Sequence, residues 1–250
     1  MSLSFEQPLE TLESISTATI NILEAIRFLG GNCSFYNAGS SECFGNTSGI
    51  AADENTPFRP KSPYGVAKAA AFWQLANYRE GYGLFACSGI MFNHESILRP
   101  PRFVTRKICL SAAKIALGMQ SKLKLGDLNI KRDWGWAPEY VEAMWKMLQQ
   151  SSPDDYVIAT GMLYSLKDFA SHAFSSLGLD YEKYVISSNS LKRPSEIKSG
   201  FGSPSKANKK LNWEAKTFMP EIASKMTQFE FNRLKPVSYT HLRAHETRSY

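Results

Sequence analysis

The chain has 250 residues, 43% hydrophobic and 21% charged, which suits a soluble globular protein with one sizeable core or one large and one small lobe. No run of apolar residues reaches the roughly 18–20 that a membrane helix needs, and Met1–Glu10 lacks the basic-then-apolar pattern of a signal peptide. The net charge of +6 is spread along the chain apart from short clusters such as Lys206–Lys210, so neither a nucleic-acid nor a membrane partner is expected. The four cysteines, Cys33, Cys43, Cys87 and Cys109, form no Cys-x-x-Cys pair and have no histidine cluster beside them. Neither a metal site nor a disulfide framework is implied, and a reducing, cytoplasmic location is expected.

In chain order, Leu12–Phe28 reads as a helix, with Ile15, Ala18, Ile22, Ala25 and Ile26 near a 3.6-residue period and Gly30-Gly31 as its stop. Cys33–Tyr36 has the length and character of a strand and runs into the polar loop Asn37–Glu42. Ser62-Pro63 opens a second helix, serine as cap and proline in the first turn, that continues to about Arg79 and meets Gly81. Leu84–Phe92 reads as a buried strand followed by the loop Asn93–Ser96, and Arg102–Leu117 as a helix. This alternation predicts an α/β fold with a parallel sheet between helices, in which ligands bind beyond the carboxyl ends of the strands. Both polar loops lie at such ends.

Further on, a helix follows Pro138 (Glu139–Gln149) and a short strand spans Tyr156–Thr160. Ser165 with Asp168 forms a capping-box pattern for a helix closed at Gly178. The segment Ser187–Asn208 is polar, and a helix is expected around Pro220–Phe231. Residues 1–120 are thus read as the main α/β domain, with insertions from the other lobe allowed, and 121–235 mainly as a smaller mixed lobe. Residues 236–250 are read as a disordered or artefactual tail.

Chemistry concentrates in two places. In Tyr64-Gly65-Val66-Ala67-Lys68 a phenol and an ammonium stand at i and i+4 on one helix face. An ammonium close by stabilises a phenolate and lowers its pKa, so the pair can remove a hydroxyl proton. Ser40-Ser41-Glu42, at a strand end, offers a hydroxyl and a carboxylate that could reach the same helix. Taken singly, Tyr-x-x-x-Lys is equally an exposed helical pair, Glu42 a solvated loop carboxylate, and each lone cation a solvated side chain.

Phe35–Glu42 together with Pro57–Lys68 resembles the extended short-chain dehydrogenases. Gly89–Ser96, Phe103–Ile108, Leu125–Asp127, Lys131–Gly135, Tyr140–Trp145 and Tyr156–Gly161 narrow the resemblance to the GDP-mannose 4,6-dehydratase family, over roughly residues 3 to 230. The resemblance implies a Rossmann-like doubly wound sheet with a substrate lobe, bound NADP, GDP-mannose as substrate, a homo-oligomer (dimer or tetramer), and the first step towards GDP-fucose or GDP-rhamnose. It implies that Tyr64 deprotonates the C4 hydroxyl, Ser40 (commonly threonine in the family) binds it, Lys68 holds the ribose, and Glu42 is the base at C5 and the acid at C6. It also implies that His94 and Arg99 meet NADP, and that Ser41, Asn93, Lys107, Arg132, Arg193 and Glu196 meet the GDP-sugar. Met162 and Ser203 depart from the family's usual glutamate and aspartate or asparagine.

The family's opening Gly-x-x-Gly-x-x-Gly turn has no counterpart in the sequence. The chain is therefore expected to be N-terminally truncated, to bind NADP poorly and to turn over little on its own. A non-catalytic binding subunit that keeps the second half of the fold is the alternative, with a related nucleotide-sugar epimerase or reductase behind it.

Overall fold

The structure is a computed structural model that describes residues 2–30, 33–188 and 197–235. Arg193, Glu196 and the tail 236–250 lie outside the described residues. The chain begins with α1 (Ser2–Glu6) and α2 (Pro8–Leu12), passes through one π-helical turn (Glu13–Thr17) and continues as α3 (Ala18–Phe28). The expected helix is there, but it begins earlier and carries a wider turn midway. Strand β1 (Phe35–Ala38) starts two residues later than expected and ends in a 3-10 turn, Ser41–Cys43.

Helix α4 (Pro63–Tyr82) is capped by Ser62, whose side chain accepts from Gly65 N at 3.1 Å, satisfying one of the free amides of the first turn. It ends at Gly83 rather than Gly81, because Gly83 takes the left-handed conformation (φ 67°) that closes the last turn. Then come β2 (Ala86–Met91), β3 (Asn93–Glu95) and α5 (Val104–Ala116). The segment after β2, expected as a loop, is thus partly strand.

The second half adds β4 (Leu123–Leu125), β5 (Lys131–Arg132), β6 (Trp134–Trp136), α6 (Ala137–Leu148) and β7 (Tyr156–Ile158). It continues through β8 (Tyr164–Ser165), α7 (Leu166–Ser175), β9 (Val185–Ser187), β10 (Ser199–Gly200), α8 (Ser205–Leu211) and α9 (Met219–Leu234). The Ser165–Asp168 capping box forms as its pattern predicts. Helix α8, which begins within the stretch read only as polar and runs past its end, is an addition to the sequence reading.

The central sheet has the order β1-β2-β7, all parallel. Strand β2 is buried along its whole length because both its faces are covered. Ala86 and Ile90 face a layer that includes Phe72 and Leu75 of α4, whereas Cys87 and Met91 face Met147 of α6 together with Leu211 and Trp213. A bidentate ion pair ties the layers: Arg79 of α4 meets Asp155 at 2.7 and 3.0 Å, and Asp155 accepts from Ser88 N at 2.8 Å.

A second core gathers α5, α7 and α9 around Ile108, Phe169, Phe174 and Ile222. The boundary near residue 120 does not separate these layers. Helix α5 belongs by packing to the second core, while β7, α6 and α8 return to the first sheet. Sequence order and spatial order differ because parallel strands need crossovers that carry the chain away and back. Among the described residues no helix is long and apolar enough to cross a membrane.

Candidate active site

In a parallel sheet the carboxyl ends of all strands point the same way, and the polar residues that follow them line one crevice. Gly39 follows β1 where the chain passes close to β2: a Cβ on it would lie 2.8 Å from Gly89 O and 3.0 Å from Ser88 Oγ. Gly65 allows a similar approach on the helix side, since its Cβ would stand 2.9 Å from Glu42 O. These two contacts seat the Ser40–Cys43 turn between the sheet and the start of α4. There the Ser40 hydroxyl accepts from Glu42 N at 3.3 Å and lies near enough to the Tyr64 phenol to favour its ionised form. Glu42 lies close enough for its charge to act on that phenol.

Lys68 stands 5.7 Å from the Tyr64 ring centroid and donates from Nζ to Ala38 O at 2.9 Å. The expected depression of the phenol pKa is not what the free cleft shows. Burial raises the Tyr64 pKa, Glu42 and Cys43 add to the rise, and Ser40 and Arg99 oppose it. The reason is desolvation: a phenolate in this pocket loses more hydration than the surrounding cations return. Burial likewise pushes the Lys68 pKa down.

Beyond β2, Asn93 and His94 lie on β3, half-buried. His94 Nδ1 is 2.9 Å from Phe92 O, so a proton on Nδ1 leaves Nε2 as acceptor in the neutral ring. Burial lowers the His94 pKa, with the Arg99 charge acting in the same direction. The ring stacks on Tyr140, centroids 5.0 Å apart at 29°. Arg99 arrives from the loop between β3 and α5, its Nε 3.2 Å from Glu95 Oε2 and its guanidinium over the Phe103 ring at 3.8 Å.

The structure therefore brings Ser40, Glu42, Tyr64, Lys68, His94 and Arg99 into one electrostatic neighbourhood, with Ser41 and Asn93 next to them in the chain. Lys107 and Arg132 stand on other elements. Lys107 Nζ donates to Lys124 O of β4 at 2.8 Å. Arg132, buried on β5, pairs in register with Gly200 of β10 and donates to Lys131 O at 2.9 Å.

Three structural supports of the site escape sequence reasoning. Asp133, fully buried, accepts from Thr160 N, Thr160 Oγ1 and Gly161 N at 2.9, 2.7 and 2.9 Å, tying the end of β7 to the segment between β5 and β6. Tyr140 backs the His94 ring, and Glu95 holds Arg99. All three lie in quoted motifs, yet no local pattern tells a buried partner-bound group from a solvated one. Among the described residues no three His, Cys, Asp or Glu side chains gather as metal ligands.

Comparison with known proteins bears on what this crevice belongs to. The family described as GDP-mannose 4,6 dehydratase matches residues 1–226. GDP-mannose 4,6 dehydratase 2 of Arabidopsis thaliana is 44% identical over 239 residues, covering 94% of this chain and 64% of its own length. GDP-mannose 4,6-dehydratase of Sinorhizobium fredii is 41% identical over 254 residues, covering 94% of this chain and 72% of its own length. The chain thus spans about two thirds of the length of the curated relatives it matches, 64% for the plant protein.

Among solved structures, RMD from Pseudomonas aeruginosa complexed with NADPH superposes with a TM-score of 0.82 at 18% identity, over 92% of this chain and 77% of that one. dTDP-glucose 4,6-dehydratase from Bacillus anthracis in complex with NAD gives 0.79 at 18% identity, over 94% and 70%. These likenesses establish the Rossmann-like α/β fold. The extent of the family match and the level of identity to its members go further: this chain belongs to the GDP-mannose 4,6-dehydratase family.

Proposed function

We propose that the cleft is built for the 4,6-dehydration of GDP-mannose, giving GDP-4-dehydro-6-deoxy-mannose, with NADP as the bound dinucleotide. The observation that carries this reading is the gathering of the Tyr64 phenol, the Ser40 hydroxyl and the Glu42 carboxylate within one another's influence at the carboxyl end of the sheet. The reaction moves a proton from oxygen and another from carbon, and it wants two bases of different kinds. A tyrosine–lysine pair alone would serve only the first.

The donor set suits a nicotinamide dinucleotide. Lys68 is anchored at the end of β1, His94 offers a ring nitrogen, and the Arg99 Nη groups have no hydrogen-bond partner among the described residues. When bound, such a group supplies reversible hydride acceptance next to the sugar. In this reading Tyr64 takes the proton of the C4 hydroxyl, and Ser40 orients that hydroxyl. Arg99 places positive charge near the phenol and opposes the rise that burial causes. Glu42 removes the C5 proton and returns a proton to the C6 hydroxyl as it leaves as water. Ser41, Asn93, Lys107 and Arg132 bind the GDP-sugar, arginine being suited to bidentate contact with a diphosphate. Arg193 and Glu196 are assigned to the nucleotide from the family motif, and a homo-oligomer is proposed on the same ground.

The test is incubation of the chain, extended at its N-terminus by the family's glycine-rich segment, with GDP-mannose and NADP, followed by mass spectrometry for loss of one water from the nucleotide sugar. With Glu42→Gln, dehydration is expected to fall by about 100-fold or more while exchange of hydride at C4 survives. Dehydration unimpaired by that change would refute the acid–base role of Glu42. Binding of GDP-mannose with no water loss would favour a binding subunit instead.

A further inference from the structure

Arg99 is gripped from beneath by a carboxylate that the proposed chemistry does not use. Glu95, the last residue of β3, is 1% exposed. Its Oε2 accepts from Thr105 Oγ1 in the first turn of α5 at 2.8 Å and stands 3.2 Å from Arg99 Nε. The Phe103 ring supports one face of the same guanidinium at 3.8 Å. The ring thus supports one face of the guanidinium and the carboxylate meets its Nε side through charge without a hydrogen bond, and neither Nη group has a hydrogen-bond partner among the described residues.

The loop that carries Arg99 is also tied down. Arg99 N donates to Ser96 O and Phe103 N to Pro100 O, both at 3.1 Å. Arg106 of α5 binds the Ile97 carbonyl and pairs with Glu230 of α9, itself 0% exposed. Cys109 lies within the fields of Glu95, Arg106 and Glu230 together, so these groups form one buried charged cluster under the loop. A buried ion pair is a poor way to gain stability, because desolvation offsets most of the attraction and well-packed apolar residues do as well or better. What such a pair does provide is a fixed direction for the partner that still reaches solvent.

We propose that Glu95 is a positioning residue: by gripping Arg99 Nε from the buried side, it holds the two Nη groups as a fixed fork for an anionic group of the ligand, beside His94 and Tyr64. The identity of that anion as a dinucleotide phosphate rests on the function proposed above; the positioning does not. The Arg99 charge reaches both cleft residues, lowering the His94 pKa and opposing the rise at Tyr64.

The deciding experiment follows the imidazole of His94 by NMR against pH in the ligand-free chain, as wild type, Glu95→Gln and Arg99→Met. Arg99→Met is expected to raise the His94 pKa by about half a pH unit, since a repelling cation is gone. Glu95→Gln is expected to raise it as well, because an unheld Arg99 swings away. The direct electrostatic effect of Glu95→Gln is small or of the opposite sign: burial pushes the Glu95 carboxyl up to about 7, so it is largely neutral where His94 titrates, and removing what charge it carries lowers a histidine pKa. A fall, or no change, in Glu95→Gln overturns the proposal, and so does an unmoved pKa in Arg99→Met. Thr105→Val, which removes only the hydroxyl under the carboxylate, gives a smaller rise and serves as the second variant if Glu95→Gln loses its far-UV circular dichroism. Fluorescence titration with NADPH forms a separate arm. Both variants of the pair are expected to weaken binding by about tenfold, with the double variant no weaker than either. Absence of NADPH binding in the wild-type chain counts against the dinucleotide reading, while the His94 titration still decides the role of Glu95.

Discussion

Gly135→Ala is the substitution whose consequence the structure sets most sharply. Gly135 lies on β6 opposite His94 of β3, and a Cβ there would stand 2.6 Å from both Cζ and Oη of Tyr140. Ordinary carbon–carbon contact needs about 3.5–4 Å, so the ring has to retreat by roughly 1 Å or more. It has nowhere to go: Tyr140 is 0% exposed, with Trp213 edge-on at 5.7 Å and the His94 ring stacked at 5.0 Å. Overpacking of this kind costs about 3 kcal/mol, the upper part of the usual range. For a two-state unfolding with a urea m-value of about 2 kcal/mol/M, that is a fall in midpoint of about 1.5 M. Tyr140→Leu alone is expected to cost about 2–4 kcal/mol through lost packing. In the Tyr140→Leu background the clash has no partner, so adding Gly135→Ala is expected to change stability by less than about 0.5 kcal/mol. Urea denaturation of the four proteins of this cycle measures the coupling directly. An equal cost of Gly135→Ala in both backgrounds would refute the argument that the Tyr140 ring is what requires glycine.

Asp155→Asn removes the charge that Arg79 meets twice and is expected to cost about 3 kcal/mol, measured by urea denaturation, because Arg79 is left half-buried without its counter-charge. A loss below about 0.5 kcal/mol would mean the pair contributes little to joining α4 to the sheet. The depressed His94 pKa also has a pH signature. A histidine held neutral by folding binds its proton more readily when unfolded, so its contribution is intact above the ordinary value of 6.5 and declines as pH falls from there towards the folded value. Glu95 and Asp133, whose carboxyls burial pushes up to about 7 and about 6, contribute the opposite slope in this window, so the signature is a difference: relative to His94→Gln, the wild-type denaturation midpoint is expected to lose ground as pH falls below 6.5, and identical pH profiles for the two proteins would contradict this.

Local chemistry made much of this protein legible in its sequence. Ser62-Pro63 and Ser165 with Asp168 announce helix starts because a capping side chain bonds amides two or three residues away, an interaction complete within the local sequence. Tyr64 and Lys68 share a helix face for an equally local reason, the 3.6-residue turn, and the family motifs are strings of adjacent residues. Tertiary structure alone decided the short pairings of β3 with β6 and of β4 with β9, since each strand finds its hydrogen-bond partner far along the chain. It also decided that Lys68 bonds the Ala38 carbonyl, that Glu95 and Asp133 are buried against specific donors, and that Tyr64 is harder to ionise in the free cleft, not easier. Hydration is lost only when remote segments close over a side chain, and the balance between that loss and the charges gathered around it does not exist until the chain has folded.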